Sequence, residues 1–435
     1  MRNEFITLAH GSGGAESASL MREIFAKRFN NEILGRLEDS AVVSICVTAG
    51  AGVSVGTYNF DTGSPVSKLY VPTDTPPPRL AVSTDTFVVT PLFFPGGDIG
   101  KLAVCGTVND VMMSGAKPLY LTCGFVIEAG LSISELDRVC ESIASAAREA
   151  GVTIIAGDTK VIEGHSEGGG LIINTTGIGV IPAHNRVPAG AAPHSRDVPF
   201  CASANIADAQ KGTSLLCGTS PLCAAVTPDT PSPSGVRPGD AILVTGTMGD
   251  HHAAILSARM GIKNSIRSDC ALLAPVISAL NGAGVSIHSM RDVTRGGLGT
   301  ILNELAGASN VSIEIEEGLI PVNPEVRSFC GIMGLDPLYM GNEGKMVLAV
   351  APEDSDRALA CIRETEIGRD AALIGYAGAH SRDVPFCASA LFADAQKGTS
   401  LLCAPADTPA VTMRTRVGGT MRVSLLYGEG LPRIC

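Results

Sequence analysis

Residues 83–122 read STDTFVVTPLFFPGGDIGKLAVCGTVNDVMMSGAKPLYLT. Short β-prone runs at 80–83 and 87–90 lie at its start, and a longer one, 119–127, closes it. Between them Asp85, Asp98 and Asp110 stand in glycine-flanked text and off any apolar periodic face, so they read as turn and strand-end positions. Working outward, Ser132 and Glu135 have the S-x-x-E spacing of a capping box. Leu136, Val139, Ile143, Ala147 and Ala150 then recur at helical spacing until Gly151 stops them. Cys140, inside that pattern, reads as a small core hydrophobe. Residues 152–156 read as a buried strand ending at Gly157 and Asp158, and 171–181 as a further strand. Alternation of this kind predicts an α/β half.

A second α/β pattern begins at Gly239. A strand over 241–245 leads into a glycine turn at Gly246 and Gly249, then a helix through Ala253, Ile255, Leu256 and Met260. Asp250, His251 and His252 follow the turn, with His252 read as a surface residue. Asp292, Arg295 and two glycines precede a helix through Ile301, Leu302 and Leu305, an arrangement suited to an anion at a helix N-terminus. Asn342, Glu343 and Lys345 form a polar cluster just before a strand over 346–350.

Three stretches interrupt this plan. Residues 50–79, containing TDTPPPR, have loop character. Residues 194–217 and 380–403 are near-verbatim copies, HSRDVPFCASA…SLLC, differing only at Asn205 against Leu391 and Ile206 against Phe392. Repeats that build a fold drift to a loose pattern, so these copies read as inserted surface segments.

With 435 residues, 45% hydrophobic and 17% charged, the chain can bury a large core. A formal charge of -11 without a Lys/Arg cluster argues against nucleic-acid binding. No apolar stretch reaches the roughly 18 residues that span a bilayer, and the start lacks a secretory apolar segment. The protein is read as soluble and cytoplasmic. Thirteen cysteines, without a CxxC pair, indicate neither a disulfide framework nor a zinc site of usual spacing.

The chemistry-bearing text is distributed. His10-Gly-Ser-Gly-Gly14 lets backbone N–H groups approach phosphate oxygens. Asp158 joins Asp85, Asp98 and Asp110 as hard oxygen donors, which favours a Mg2+-nucleotide site. Lys160 follows Asp158 by two residues and can hold phosphate as a point charge, and Asn174 lies in INTTGIG. The chain ends LYGEGLPRIC, a glycine-bearing approach to a thiol on Cys435.

Together the blocks HGSGG, TDTFVVTPLFFPGGDIGKLAVCGTVNDVMMSGAKPLY, AGVTIIAGDTKV, INTTGIG, RDVTRGGL, LNELA, LDPLYMGNEGK and the terminal LPRIC resemble the HypE hydrogenase maturation family. That family lies in the superfamily of aminoimidazole ribonucleotide synthetase (PurM) and selenophosphate synthetase. The resemblance implies a PurM-like two-domain α/β (α+β) fold whose N-terminal sheets pair into a homodimeric barrel, with ATP and Mg2+ in a cleft of the dimer. It implies a carbamoyl dehydratase that turns a carboxamide on Cys435 into a nitrile, with Lys160 and Glu343 at positions that handle protons. The nucleotide set it suggests is His10, Gly11, Gly13, Gly14, Asp85, Asp98, Lys101, Asn109, Asp110, Asp158, Asn174, Asp292 and Arg295, with Asp85, Asp110 and Asp158 on the metal. Partners implied are the carbamoyltransferase HypF and a HypC-HypD complex that receives cyanide, with no membrane. Domains are expected at 1–182 and 236–378, with insertions near 50–79, at 183–235 and at 379–413, and a final strand and flexible C-terminal tail over 414–435. The competing reading is another ATP-using enzyme of the superfamily acting on a free small molecule, for which Cys435 would be dispensable.

Overall fold

The computed structural model describes residues 40–44, 79–164, 169–181, 231–232, 234–379 and 410–425, with isolated positions nearer the start. The His10 to Gly14 turn, most of the 50–79 stretch, both copies of the repeat and Cys435 lie outside the described residues.

The first sheet contains β1 (Ala41–Ser44), β2 (Arg79–Phe87), β5 (Lys117–Glu128), β6 (Thr153–Ile162) and β7 (Leu171–Ile181), in the order β1-β2-β7-β5-β6. All its pairings are antiparallel except β5 with β6. The expected strands at 80–83 and 87–90 are instead one strand, β2, which ends at Phe87. A two-residue hairpin, β3 (Phe93–Phe94) and β4 (Gly97–Asp98), delivers the chain to α1 (Ile99–Met113). Helix α2 (Ile133–Ala150) crosses between β5 and β6, and Gly151 closes it in the left-handed conformation, as its sequence foretells. The capping-box bond does not form, because the Ser132 hydroxyl pairs with that of Ser134 at 2.7 Å.

Alternation along β2 and β7 decides which face is covered. Ala81, Ser83, Phe87, Leu171, Ile173 and Thr175 are buried against the helices, while Thr84, Thr86 and Asn174 lie on the opposite face, open among the described residues. Helix α1 settles into the covered face because Gly177 and Gly179 let it approach. A Cβ at Gly177 would stand 2.8 Å from Val111 Cγ2. All but Lys101 and Asp110 of its fifteen residues are buried, which explains why it carries no amphipathic stripe.

The second sheet has seven strands in the order β14-β13-β10-β12-β8-β11-β9. They are β8 (Ala241–Val244), β9 (Ile287–Asp292), β10 (Val311–Glu316), β11 (Met346–Val350), β12 (Ala372–Ala379), β13 (Val411–Arg414) and β14 (Thr420–Val423). Only β10 and β13 run parallel. Helices α3 (Asp250–Arg259), α4 (Ala274–Gly282), α5 (Gly297–Ser309), α6 (Pro324–Met333) and α7 (Ser355–Arg363) complete this half. Ala241 and Leu243 share one core with Val276 of α4 and Ile362 of α7, while Ile242 and Val244 share another with Leu298 and Leu302 of α5. The central strands are therefore buried on both faces, as the unbroken apolar run of β11 requires.

One core runs through both halves: Val104 and Val108 of α1 belong to the same cluster as Met290 of β9 and Met346 and Leu348 of β11. Asn109 fastens the junction. Its side-chain nitrogen donates to the Ala271 carbonyl at 3.0 Å, and its oxygen accepts from the Leu273 N–H at 2.9 Å. No described helix is long and apolar enough to cross a membrane.

Candidate active site at the domain junction

Four elements bring ionisable side chains to the junction. Asp85 stands near the end of β2, Asp110 in the last turn of α1, Asp292 at the end of β9, and Glu343 in the loop before β11. The β9–β11 register sets Asp292 opposite Met346, three residues beyond Glu343, so strand pairing alone places the two acids together. Ser83 donates to Asp110 Oδ2 at 2.9 Å. Arg295, just before the left-handed Gly296 that caps α5, reaches Asp85 Oδ1 at 3.7 Å.

Carboxylates crowded into a desolvated gap hold their protons more tightly. Burial raises Asp85 above its usual range, opposed by Arg295 and the Thr86 backbone. Asp292 is pushed up to about 6, chiefly by burial, with the Asp85 charge adding and Arg291 and a hydrogen bond with Asp110 opposing. Glu343 is driven furthest above the usual carboxylate range, by burial first and then by Asp292, Asp85 and Asp269, against Arg295. Its Oε2 lies 3.8 Å from where a Cβ on Gly106 would be, and that same Cβ would strike the Phe87 ring at 2.8 Å. Glycine at 106 thus leaves the space into which Glu343 projects.

Two thiols line the same junction. Cys105 of α1 and Cys270 are both buried, and the hydrogen bond between them, followed by burial, holds the Cys270 thiol well above its ordinary range. The Glu343 charge adds to that rise and the Lys101 charge opposes it.

Other expected site residues are placed elsewhere. Asp98 caps α1, accepting from Gly100 and Lys101 N–H groups at 2.8 and 3.1 Å and from the Ser142 hydroxyl at 2.7 Å. Both its oxygens are engaged in holding α1 and α2. Asn109 is likewise the interdomain clamp described above. Asn174 donates to the Asp85 carbonyl and the Thr86 hydroxyl, each at 2.9 Å, tying β7 to β2 on the open face.

Asp158 and Lys160 depart most from expectation. Asp158 is in mid-strand on β6, not at a strand end, and β6 is the exposed edge of its sheet rather than a buried strand. The registers align Asp158 with Gly124, Gly124 with Asn174, and Asn174 with Thr86. Three strand spacings, about 14 Å, therefore separate Asp158 from the Asp85 end of β2. Asp158 also shares the open face with Thr86 and Asn174, whereas Asp85 faces α1. Within one subunit the expected Asp85, Asp110 and Asp158 metal set is not assembled, and no group of three or more acids, histidines or cysteines among the described residues is arranged to hold a metal. Lys160 pairs with Asp158 at 3.5 Å on the open edge, remote from Glu343.

Three further expectations change. Asp110 lies within a helix, not at a turn. His252 is buried, as is His251, which bonds Ser268 at 2.7 Å and is held to about 3 by burial and by His252. Cys140 is exposed on α2. Sequence reasoning passed over Asp269, since a single aspartate in the Ser268-Asp269-Cys270 loop carries no spacing signal.

Comparison with known proteins agrees with this architecture. The family description "AIR synthase related protein, N-terminal domain" matches residues 70–181, and its C-terminal counterpart matches 237–387. A carbamoyl dehydratase HypE from Cupriavidus necator is 38% identical over 432 residues, covering 99% of this chain and 95% of the relative. A solved HypE-HypF complex matches with a TM-score of 0.65 at 33% identity, covering 94% of this chain and 100% of that one. A solved HypE in complex with ATP matches with a TM-score of 0.62 at 38% identity, covering 99% and 100%. Fold and site thus define an AIR synthase-like two-domain α/β protein with an acidic junction. Within that class, the chain belongs to the HypE family of carbamoyl dehydratases.

Proposed function

We propose that the protein uses ATP to dehydrate an S-carboxamide on Cys435 to an S-cyanate, the source of cyanide for the iron of a nickel-iron hydrogenase. The observation that carries this reading is the Glu343 carboxyl at the junction, surrounded by Asp85, Asp292 and Asp269 and balanced by Arg295, in a chain whose full-length relatives are named for this reaction. An amide oxygen leaves poorly. Transfer of the ATP γ-phosphoryl group to that oxygen makes it a phosphate leaving group, so carboxamide and ATP become nitrile, ADP and phosphate. Both amide protons must depart as the C≡N bond forms, and a carboxyl with raised proton affinity is matched to accept one. Lys160 is the second proton-handling residue of the proposal.

Asp85 and Asp110 have the hard oxygens that Mg2+ takes when it shares one or two carboxylates with substrate phosphates. Those two carboxylates would hold Mg2+, which would supply positive charge against the phosphoryl oxygens. His10, Gly11, Gly13 and Gly14 would cradle the phosphates with backbone N–H groups, and Lys101, Asp292 and Arg295 would border them. Loading of the Cys435 thiol falls to HypF, a protein held with HypE in a solved complex, and a HypC-HypD complex receives the product. The domains of the proposal are 1–182 and 236–378, with the duplicated segments as insertions between and after them. The reaction is placed in the cytoplasm.

Homodimerisation belongs to the same proposal, and the β6 edge supports it. Every residue of β6 is exposed, with Ile155 at 54% and Val161 at 69%, an edge that an isolated protein would normally blunt. Pairing of two copies there would form a closed barrel with Asp158 and Lys160 on its shared cleft. Val161→Lys should therefore convert a dimer to a monomer in sedimentation velocity. A monomeric parent chain, or a dimeric variant, would contradict it.

Mass spectrometry of the C-terminal peptide tests the chemistry. After incubation with HypF and carbamoyl phosphate, the peptide should gain one carbamoyl group; addition of ATP should then remove one water. No loss of water, or turnover of a free small-molecule amide with Cys435 unmodified, would overturn the reading.

A further inference from the structure

We propose that Asp269 is a positioning residue for Glu343: one carboxylate oxygen holds the Glu343 main chain, and the other, buried without a hydrogen-bond partner, sets the field in which the Glu343 carboxyl works. The inference rests on the function proposed above and deepens it.

The geometry is local and specific. Glu343 N–H donates to Asp269 Oδ1 at 3.0 Å, and Ala271 N–H returns a bond to the Glu343 carbonyl at 3.3 Å. The two loops are pressed together, since a Cβ on Gly344 would stand 2.0 Å from the Asp269 carbonyl oxygen. A single acceptor satisfies the Glu343 N–H, so the second oxygen is not needed to hold the loop. Asp269 Oδ2 is nonetheless buried and without a hydrogen-bond partner. An asparagine would serve the loop as well at lower desolvation cost. A buried acid kept at this position points to a use for its charge.

The groups facing Asp269 define that use. Burial pushes its carboxyl up to about 6; Lys345 works against that rise, Asp250 adds to it, and the backbone hydrogen bonds of Glu343 and of Asp269 itself favour the ionised form. Lys345 Nζ also donates to the Ile367 carbonyl at 3.3 Å and lies 2.8 Å from a Cβ position on Gly246, which fixes where its charge sits. Asp269 in turn is among the charges that raise Glu343. The sign follows: removing the Asp269 charge lowers the proton affinity of Glu343, and any limb of the pH–rate profile that reports Glu343 moves to lower pH.

The test uses full-length protein preloaded with a carbamoyl group, with nitrile formation followed by mass at saturating ATP across pH. Asp269→Asn retains an acceptor for the Glu343 N–H and should shift the Glu343 limb acidward by roughly one pH unit, the scale of one charge acting at short range. The KM for ATP should be unchanged, and Asp269→Glu should move the limb back. Asp269→Ser, which cannot overpack the loop, serves the same comparison if the Asn variant melts below the assay temperature. A profile that superimposes on that of the parent in whichever variant folds would overturn the inference. Failure of the parent itself to form nitrile would instead overturn the proposed function, so the two failures are distinguishable.

Discussion

Replacing Cys435 by Ala is expected to abolish carbamoyl loading and nitrile formation while ATP binding stays at the parent level. In the proposed reaction Cys435 is the thiol that carries the carboxamide. Tethering raises the local concentration of the reacting group without an additional binding site. The six described thiols offer no substitute. Cys105, Cys123, Cys270 and Cys330 are buried. Cys123, like Cys330, is pushed up to about 11, mainly by burial, and so is protonated near neutrality. Cys140 and Cys361 are accessible, but burial still lifts both above an ordinary thiol. The chain after β14 leaves from a fixed point: Asn303 donates to the Val423 carbonyl at 3.1 Å, and the Tyr339 hydroxyl to the Ser424 carbonyl at 2.8 Å. Eleven residues follow Ser424, enough for about 36–40 Å of extended reach. Peptide mass measures loading and calorimetry measures ATP binding. A carbamoyl group found on the Ala variant, or a water lost from another cysteine, would disprove the carrier assignment.

How far such chemistry can be read without coordinates depends on whether its residues share a local pattern. Helix α2 was legible because Gly151 and the 3.6-residue recurrence of Val139, Ile143 and Ala147 are local signals, and β7 because its odd residues alternate inward. Helix α1 was not. Burial on all sides removes the stripe that marks a helix, and Gly100 and Gly106 imitate loop text while serving close packing against Val139 and Phe87. With α1 hidden, Asp110 was misread as a turn residue, and the part Asn109 plays in joining the two halves went unseen. The short apolar run opening β6 looks like a buried strand, since an edge awaiting a partner and a strand between partners have the same composition. Sheet order then decided where Asp158 could go, and a register spanning three strands is not written in any one of them. Asp85, Asp292, Arg295 and Glu343 were each singled out from sequence, but their gathering at one junction is a property of two sheets meeting through α1.

Replacing Glu343 by Gln is expected to slow dehydration by about 10²–10⁴-fold, the range for loss of a general acid–base group, while leaving loading of Cys435 and ATP binding intact. The amide keeps the shape that fits beside Gly106, and the main-chain bond to Asp269 is untouched because it uses the Glu343 N–H. The variant should also fold at least as well as the parent in alkali, and the sign can be worked through. Glu343 has a higher proton affinity in the folded chain than in the unfolded one, chiefly through burial. Between the unfolded value, about 4.3, and the raised folded value, the native state binds more protons than the unfolded state, so stability declines as pH rises through that window. Asp292 and Asp269, each near 6, add to the same decline. Glutamine cannot ionise, and its variant loses one contribution to the decline. Thermal melts at pH 5 and pH 8 should therefore show a smaller drop in Tm for Glu343→Gln than for the parent. Unchanged nitrile formation by a folded Glu343→Gln would remove this carboxyl from the reaction. A normal rate deficit with an unaltered melting profile would keep it in the reaction but refute its burial as the source of its proton affinity.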